Sequence, residues 1–156
     1  MFNLKTLYAG AVVAALTLTP VLADEEKSVT VYKTPWCGCC HVWAEEVAKA
    51  GYSVKVHDME DLTSIKKQAD VPDDMQACHT AVVGKTHKYV LEGHVPLQAM
   101  DKLMSERPDI HGLAVAGMPM GSLGMDYDPG AEYLVHALPQ KRGDAPTVYM
   151  RMGEPE

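Results

Sequence analysis

The sequence predicts a single mixed α/β domain, and three observations support this. Short segments that alternate β-branched and polar residues, such as SVTVYK at 28–33, are typical of strands. Between them lie segments whose apolar residues recur at helical spacing, such as CHVWAEEVAKAG at 40–51. The 156 residues, 47% of them hydrophobic, are enough for one ordinary core.

The predicted elements follow in a definite order. A strand at 28–33 precedes the helix at 40–51, which Gly51 ends, and YSVKVHDM at 52–59 forms the next strand. The next predicted elements are a short helix that begins at 60 and ends before Pro72, strands at 79–84 and 88–95 forming a hairpin, and a helix at 96–110. From Gly112 the chain is rich in Gly, Pro and Met without a helical or strand period, which predicts a long ordered loop. Two short terminal strands, in EYLVHAL and PTVYMRM, are then predicted as a hairpin or as additions to the sheet edge.

This order, βαβ followed by a hairpin and a helix, is that of the thioredoxin-like fold. In that class a CxxC motif lies where the first strand turns into the first helix. Here Cys37-Gly38-Cys39-Cys40 occupies that place, with an additional cysteine inside the motif.

The N-terminal segment predicts export. Lys5 precedes a 13-residue apolar run, and Val21 and Ala23 stand at the −3 and −1 positions of a cleavage site before Asp24. The run is too short for a membrane anchor, which needs about 20 apolar residues. We therefore expect residues 1–23 to be a cleaved signal peptide and residues 24–156 to form one periplasmic domain without stable membrane insertion. The net charge of −7 argues against a nucleic-acid partner.

Four cysteines are candidate metal ligands or redox groups. Cys37, Cys39 and Cys40 lie together at a predicted helix N-terminus, where the helix dipole favours thiolates. Cys37 and Cys40 can both reach one metal ion or close one disulfide. Cys78 lies at the entrance to the third strand, which in thioredoxin-like proteins is beside the CxxC and usually holds a cis-proline. We expect its sulfur to face the other three.

Methionines and one histidine supplement this set. Met118, Met120 and Met125 crowd a Gly/Pro-rich loop, and thiolates with thioethers are the ligands that select Cu(I). Met118 and Met125 are the stronger candidates, whereas Met100 and Met104 lie on an apolar helix face and are predicted to be core. His94, in EGHVP, is a candidate ligand or supporting residue.

Two further expectations concern histidine and zinc. If the third strand is regular, His79 points to the opposite face from Cys78, which argues against both binding one ion. Four cysteines could also bind structural zinc. Structural zinc sites, however, usually use two separated CxxC pairs, and a zinc site would leave the methionine loop unexplained.

Several motifs resemble a known family. YKTPWCGCC with Trp43, then ACHTAVV, EGHVP, SERPDIHGLAVAGMP and GS-x-GM are similar to the CopG-type periplasmic copper-resistance proteins, over Val29 to about Tyr149. The resemblance implies a thioredoxin-like fold, copper binding and a role in copper tolerance. It matches the family's cysteines to Cys37, Cys39, Cys40 and Cys78, its histidine to His94, and its loop methionines to Met118 and Met125. The family's loop commonly contains PGMP and GSPGM, and this chain lacks the two additional prolines.

Three functional hypotheses follow from the sequence. In the first, the protein binds Cu(I) for copper resistance, and an exporter or another periplasmic copper-handling protein is a candidate recipient. Four thiolates and two thioethers exceed the needs of one Cu(I), so more than one ion per chain is allowed. In the second, it is an oxidoreductase in which Cys37 is the nucleophile and Cys40 the resolving thiol, acting on disulfides or coupling thiol oxidation to copper redox change. The third is a domain with purely structural disulfides. The extra thiol in the motif and the absence of proline at Cys78 favour the first.

Overall fold

A computed structural model of the chain describes residues 27–126, 128 and 130–153. The predicted signal peptide, residues 1–23, lies outside the described residues. The described residues form seven strands, three α-helices and one 3-10 turn: β1 (Ser28–Lys33), α1 (Gly38–Lys49), β2 (Ser53–Asp58), α2 (Thr63–Gln68), the 3-10 turn (Asp73–Met75), β3 (His79–Val83), β4 (Tyr89–Glu92), α3 (Leu97–Glu106), β5 (Gly112–Ala114), β6 (Tyr133–Leu138) and β7 (Thr147–Met152). The predicted mixed α/β class and the order of the first seven elements are confirmed.

The strands form one sheet in the order β2-β1-β3-β4-β5-β6-β7. β1 pairs with β2 in parallel and with β3 antiparallel, and β3 and β4 form the predicted hairpin. The parallel β1–β2 pair requires a crossover, which α1 supplies. Because β3 runs antiparallel to β1, with Lys33 opposite His79, the turn between β1 and α1 lies at the same end of the sheet as the start of β3.

The prediction of a long loop from Gly112 is partly wrong, because the first residues of this segment form β5 inside the sheet. This strand pairs in parallel with β4 and antiparallel with β6. Three residues are too few to show a strand period in the sequence. Gly112 is needed there because a Cβ would lie 2.0 Å from the Val90 carbonyl oxygen. The predicted terminal hairpin is confirmed as β6 and β7, and it extends the sheet through β5.

Two hydrophobic clusters cover opposite faces of the sheet. The larger one contains buried residues of α1 and α3, including Trp43 and Leu103, with Leu91 and Leu113 of the sheet. The smaller one contains Val90, Ala114 and Leu138, packed against the segment that follows α2. Neighbouring residues of one strand thus enter different clusters, as pleating requires. Each fully buried aliphatic side chain contributes roughly 1.5–3 kcal/mol.

Two smaller findings complete the fold. Met100 is fully buried and Met104 packs against the larger cluster, so their prediction as core residues is confirmed. None of the helices in the described part of the chain is long and apolar enough to cross a bilayer.

Candidate metal centre

The first turn of α1 carries the three clustered cysteines. The helix begins at Gly38, two residues before the predicted start, so Cys37 is its N-cap and Cys39 and Cys40 follow in the first turn. Cys37 and Cys40 form a disulfide with a Cα–Cα distance of 5.4 Å, whereas Cys39 is a free thiol. The Cys39 sulfur lies 3.6 Å from the Cys37 sulfur. One helix end therefore presents a disulfide-bonded pair with a third thiol in contact with it.

Cys78 completes a cluster of four sulfurs. It lies just before β3, and its sulfur and those of Cys37, Cys39 and Cys40 are all within 4.8 Å of one another. The expected approach of the downstream sulfur to the other three is thus present in the structure. Burial, followed by the neighbouring Cys39, raises the pKa of Cys78 to about 12, which the Lys66 ammonium partly offsets. Without a bound cation this thiol is protonated at neutral pH, and a cation would have to displace its proton.

His94 lies against the same sulfur. Its Nε2 is 3.0 Å from the Cys78 sulfur, and its Nδ1 donates to the Leu123 carbonyl oxygen at 2.6 Å. The carbonyl can only accept, so the proton of a neutral ring belongs on Nδ1 and the Nε2 lone pair faces Cys78. Burial lowers the pKa of His94, which favours this neutral form. A fixed tautomer with its lone pair directed into a sulfur cluster is typical of metal-binding histidines.

His79 lies on the same side as Cys78, contrary to the prediction. Its Nδ1 is 3.6 Å from the Cys78 sulfur, and ligand atoms of Cys40, Cys78, His79 and His94 all lie within 4.8 Å of one another. The expectation of opposite faces was wrong because Cys78 precedes the strand, so strand alternation does not apply to this pair. In the sequence, the adjacency of His79 to Cys78 was the feature that could have indicated that His79 belongs to the cluster.

The environment of His79 keeps its ring neutral. The side chain is fully buried, its ring centroid is 4.6 Å from that of Trp43, and its Nε2 has no hydrogen-bond partner within the described residues. Burial lowers the pKa of His79 to about 3, assisted by His94 and two lysines. A neutral buried imidazole retains a lone pair for a metal ion.

A buried ion pair contacts the residue before Cys78 and was not predicted from the sequence. Lys66 of α2 pairs with Glu92 of β4, and both are buried. Glu92 also accepts hydrogen bonds from the Thr80 hydroxyl at 2.6 Å and the Ala77 backbone N–H at 2.7 Å. Burial raises the pKa of the Glu92 carboxyl, and these donors oppose the shift. In the sequence the two charged residues look like ordinary surface residues.

The methionine loop borders the site through its backbone. Gly117 forms an isolated parallel bridge with Ala77, and Leu123 accepts the His94 hydrogen bond. At Gly124, φ is +87° and a Cβ would lie 2.7 Å from the Cys39 carbonyl oxygen. The side chain of Met118 is 56% exposed, and Met125 is half-buried beside Gly124. The structure thus brings together the four cysteines and His94, with Met118 and Met125 on the loop beside them.

Comparison with known proteins agrees with this site. Residues 75–125, which include Cys78, His94 and the methionine loop, match a family described as "Protein of unknown function, DUF411". A solved structure titled "Copper resistance protein copG- Form 1" is 34% identical, covers 81% of this chain and 98% of its own, and superposes with a TM-score of 0.71. The chain belongs to the CopG family of copper resistance proteins.

A second structure, titled as Form 2 of the same protein, supports this membership. It is also 34% identical, covers 80% of this chain and 96% of its own, and gives a TM-score of 0.70. No curated protein sequence matches the chain. This CopG-family chain therefore combines homology to copper resistance proteins with a cysteine-rich cluster able to hold a metal ion.

Proposed function

We propose that this CopG-family protein binds Cu(I) in the periplasm and contributes to copper resistance, with Cys37, Cys39, Cys40 and Cys78 as ligands. The observation that carries the proposal is the convergence of four sulfurs, from two separate parts of the chain, to within 4.8 Å of one another. Thiolates are soft ligands and favour Cu(I) over harder cations. Reduction of the Cys37–Cys40 disulfide would make all four available.

His94, Met118 and Met125 complete the proposed site. The Nε2 lone pair of His94 already faces Cys78, so this ring needs no rearrangement to bind an ion beside that sulfur. The methionines belong to the loop that contacts Ala77 and Cys39, and a small loop movement would bring a thioether to the cluster. Four thiolates with these additional donors support more than one Cu(I) per chain.

We also propose that the domain is thioredoxin-like and that the protein is periplasmic. The order β1-α1-β2, then the β3–β4 hairpin and α3, supports a thioredoxin-like fold, and so does the CxxC motif at the start of α1. Residues 1–23 have the composition of a signal peptide, which would deliver the protein to the periplasm. A copper exporter or another periplasmic copper-handling protein would receive the ion.

Cys78→Ser tests the proposed site directly. The reduced protein is titrated with Cu(I) without oxygen against a chromophoric chelator, and bound ions are counted by native mass spectrometry. Losing one thiolate should weaken Cu(I) binding by more than about 100-fold, the upper range seen for supporting residues. Met100→Leu, a core substitution of similar volume, should bind as the wild type does. Equal affinity of C78S and wild type would exclude this site.

The same titration separates copper from zinc. Four cysteine sulfurs could also bind Zn²⁺ tetrahedrally. We expect Cu(I) to displace Zn²⁺ from the reduced protein and Met118→Leu to weaken only Cu(I) binding, because thioethers favour the softer ion. If the protein retained Zn²⁺ in the presence of stoichiometric Cu(I), the structural zinc hypothesis would be favoured.

The Cys37–Cys40 disulfide supports a second candidate function, a copper-coupled thiol oxidoreductase. In that reaction two thiols form one disulfide and release two protons, and their two electrons reduce two Cu²⁺ to two Cu(I). Mixing the reduced protein with Cu²⁺ should then yield two chelatable Cu(I) per disulfide formed. Cys37→Ser should lose the Cu(I) that is formed together with the Cys37–Cys40 disulfide. A disulfide-reductase activity that requires Cys37 but not Cys78 would instead indicate general dithiol exchange.

A further inference from the structure

The buried ion pair of Lys66 and Glu92 contacts the segment that carries Cys78 of the proposed copper site. Glu92 is fully buried and Lys66 is 7% exposed. Removing two charges from water is unfavourable, and the attraction between them often only balances that penalty. The presence of this ion pair is therefore weak evidence that it stabilises the fold, and its burial at this position needs another explanation.

The contacts of Glu92 show what the pair holds. One carboxylate oxygen accepts from the Ala77 N–H at 2.7 Å and is also paired with Lys66. The other accepts from the Thr80 hydroxyl at 2.6 Å. Ala77 and Thr80 flank Cys78 and His79, so one carboxylate fixes the chain on both sides of the site residues.

The backbone of Glu92 extends this connection to His94. Thr80 and Glu92 are partners in the β3–β4 register, and the Gly93 N–H donates to the His79 carbonyl oxygen at 2.9 Å. Gly93 has φ +71°, and a Cβ there would lie 2.6 Å from the Ala77 Cβ. The segment that carries His94 is thus packed tightly against the segment that carries Cys78.

We propose that Glu92, held in place by Lys66 and Thr80, is a positioning residue that sets the Cys78 sulfur and the His94 ring in their metal-binding arrangement before the ion arrives. The inference rests on the proposed function. Glu92 is not one of the proposed ligands. It acts through the Ala77 peptide, whose orientation determines where the Cys78 side chain points.

Two double variants of equal net charge isolate the hydrogen bonds. K66M/E92Q keeps a carbonyl oxygen that can accept from the Ala77 N–H, and its amide nitrogen can donate to the Thr80 hydroxyl oxygen, whereas K66M/E92M replaces the amide with a thioether of similar size. K66M/E92Q should bind Cu(I) within about threefold of the wild type, because a neutral acceptor retains much of the contact. K66M/E92M should bind roughly 10-fold more weakly, as when a supporting partner of a metal ligand is lost. Exchange of the Ala77 amide hydrogen should be accelerated only in K66M/E92M.

A core variant controls for general destabilisation. Leu103→Ala opens a cavity in α3 away from this network and should lower the thermal midpoint without weakening Cu(I) binding. Equal Cu(I) affinity of the two double variants would overturn the positioning role, and so would an equal loss in L103A. If the wild type bound no Cu(I), the proposed function would fail. Ala77 amide exchange in the copper-free variants would still decide whether Glu92 holds the segment.

Discussion

Replacing Gly124 with alanine should damage both the fold and the site, and Gly117 offers a matched control. Both glycines have positive φ, +87° and +69°, so alanine is strained at either position. A Cβ at Gly117 would meet nothing within 4 Å. A Cβ at Gly124 would lie 2.7 Å from the Cys39 carbonyl oxygen and 2.8 Å from the Trp43 nitrogen, both backbone atoms of α1. The difference between the two variants therefore measures how closely the methionine loop must approach the helix.

The expected magnitudes follow from these contacts. G117A should lower the free energy of unfolding by about 1 kcal/mol, the strain of a left-handed residue that has a side chain. G124A should add roughly 1–3 kcal/mol for the overlap with rigid backbone. For a domain of this size about 1 kcal/mol corresponds to about 4 °C in thermal midpoint, so G124A should unfold well below G117A.

Copper binding provides the second readout of Gly124→Ala. To avoid Cys39 and Trp43 the loop must move outward, and Leu123 then withdraws the carbonyl that accepts the His94 hydrogen bond. Loss of such a supporting bond should weaken Cu(I) binding by roughly 10- to 100-fold. Thermal unfolding and anaerobic Cu(I) competition measure both effects. Equal midpoints and equal affinities for G124A and G117A would refute the argument.

Two further predictions concern the redox state and pH. Alkylation followed by mass spectrometry should find two reactive thiols in the unfolded, non-reduced protein and four after reduction. The reduced form should bind Cu(I) more tightly. Four reactive thiols before reduction would contradict the Cys37–Cys40 disulfide. The second concerns His79, whose folded pKa of about 3 lies below its unfolded value of 6.5, so its stabilising contribution is complete above pH 6.5 and declines as pH falls towards the folded value. Between about pH 7 and about pH 4.5 urea unfolding of the copper-free protein should therefore lose roughly 2–3 kcal/mol from this residue. His79→Phe should show a correspondingly smaller decline, and an identical decline in both proteins would disprove the assignment to His79.

Features determined by local sequence were predicted well. The alternation in SVTVYK and the helical spacing around Trp43 place β1 and α1 correctly, because both patterns reflect which face of an element is buried. The position of Cys78 beside the other cysteines followed from the order of elements, since an antiparallel β3 begins at the end of the sheet where β1 leads into α1.

Features determined by distant contacts were not predicted. β5 is three residues long and depends on the close approach of Gly112 to Val90, which leaves no period in the sequence. The pairing of Lys66 with Glu92 joins residues 26 positions apart. The sequence left the choice between a disulfide and a metal open for Cys37 and Cys40, because CxxC spacing permits both.

The tilted ring contact between Trp43 and His79 makes the tryptophan fluorescence of this protein a reporter of the site. The chain has two tryptophans, and Trp36 is 69% exposed whereas Trp43 is fully buried, with its indole N–H donated to the Val95 carbonyl oxygen. Replacing Trp36 with phenylalanine would leave one emitting indole, in ring contact with a histidine of the cluster. Filling or emptying of the cluster would then change the fluorescence of an unlabelled protein, so the kinetics of ion capture and transfer could be followed by rapid mixing.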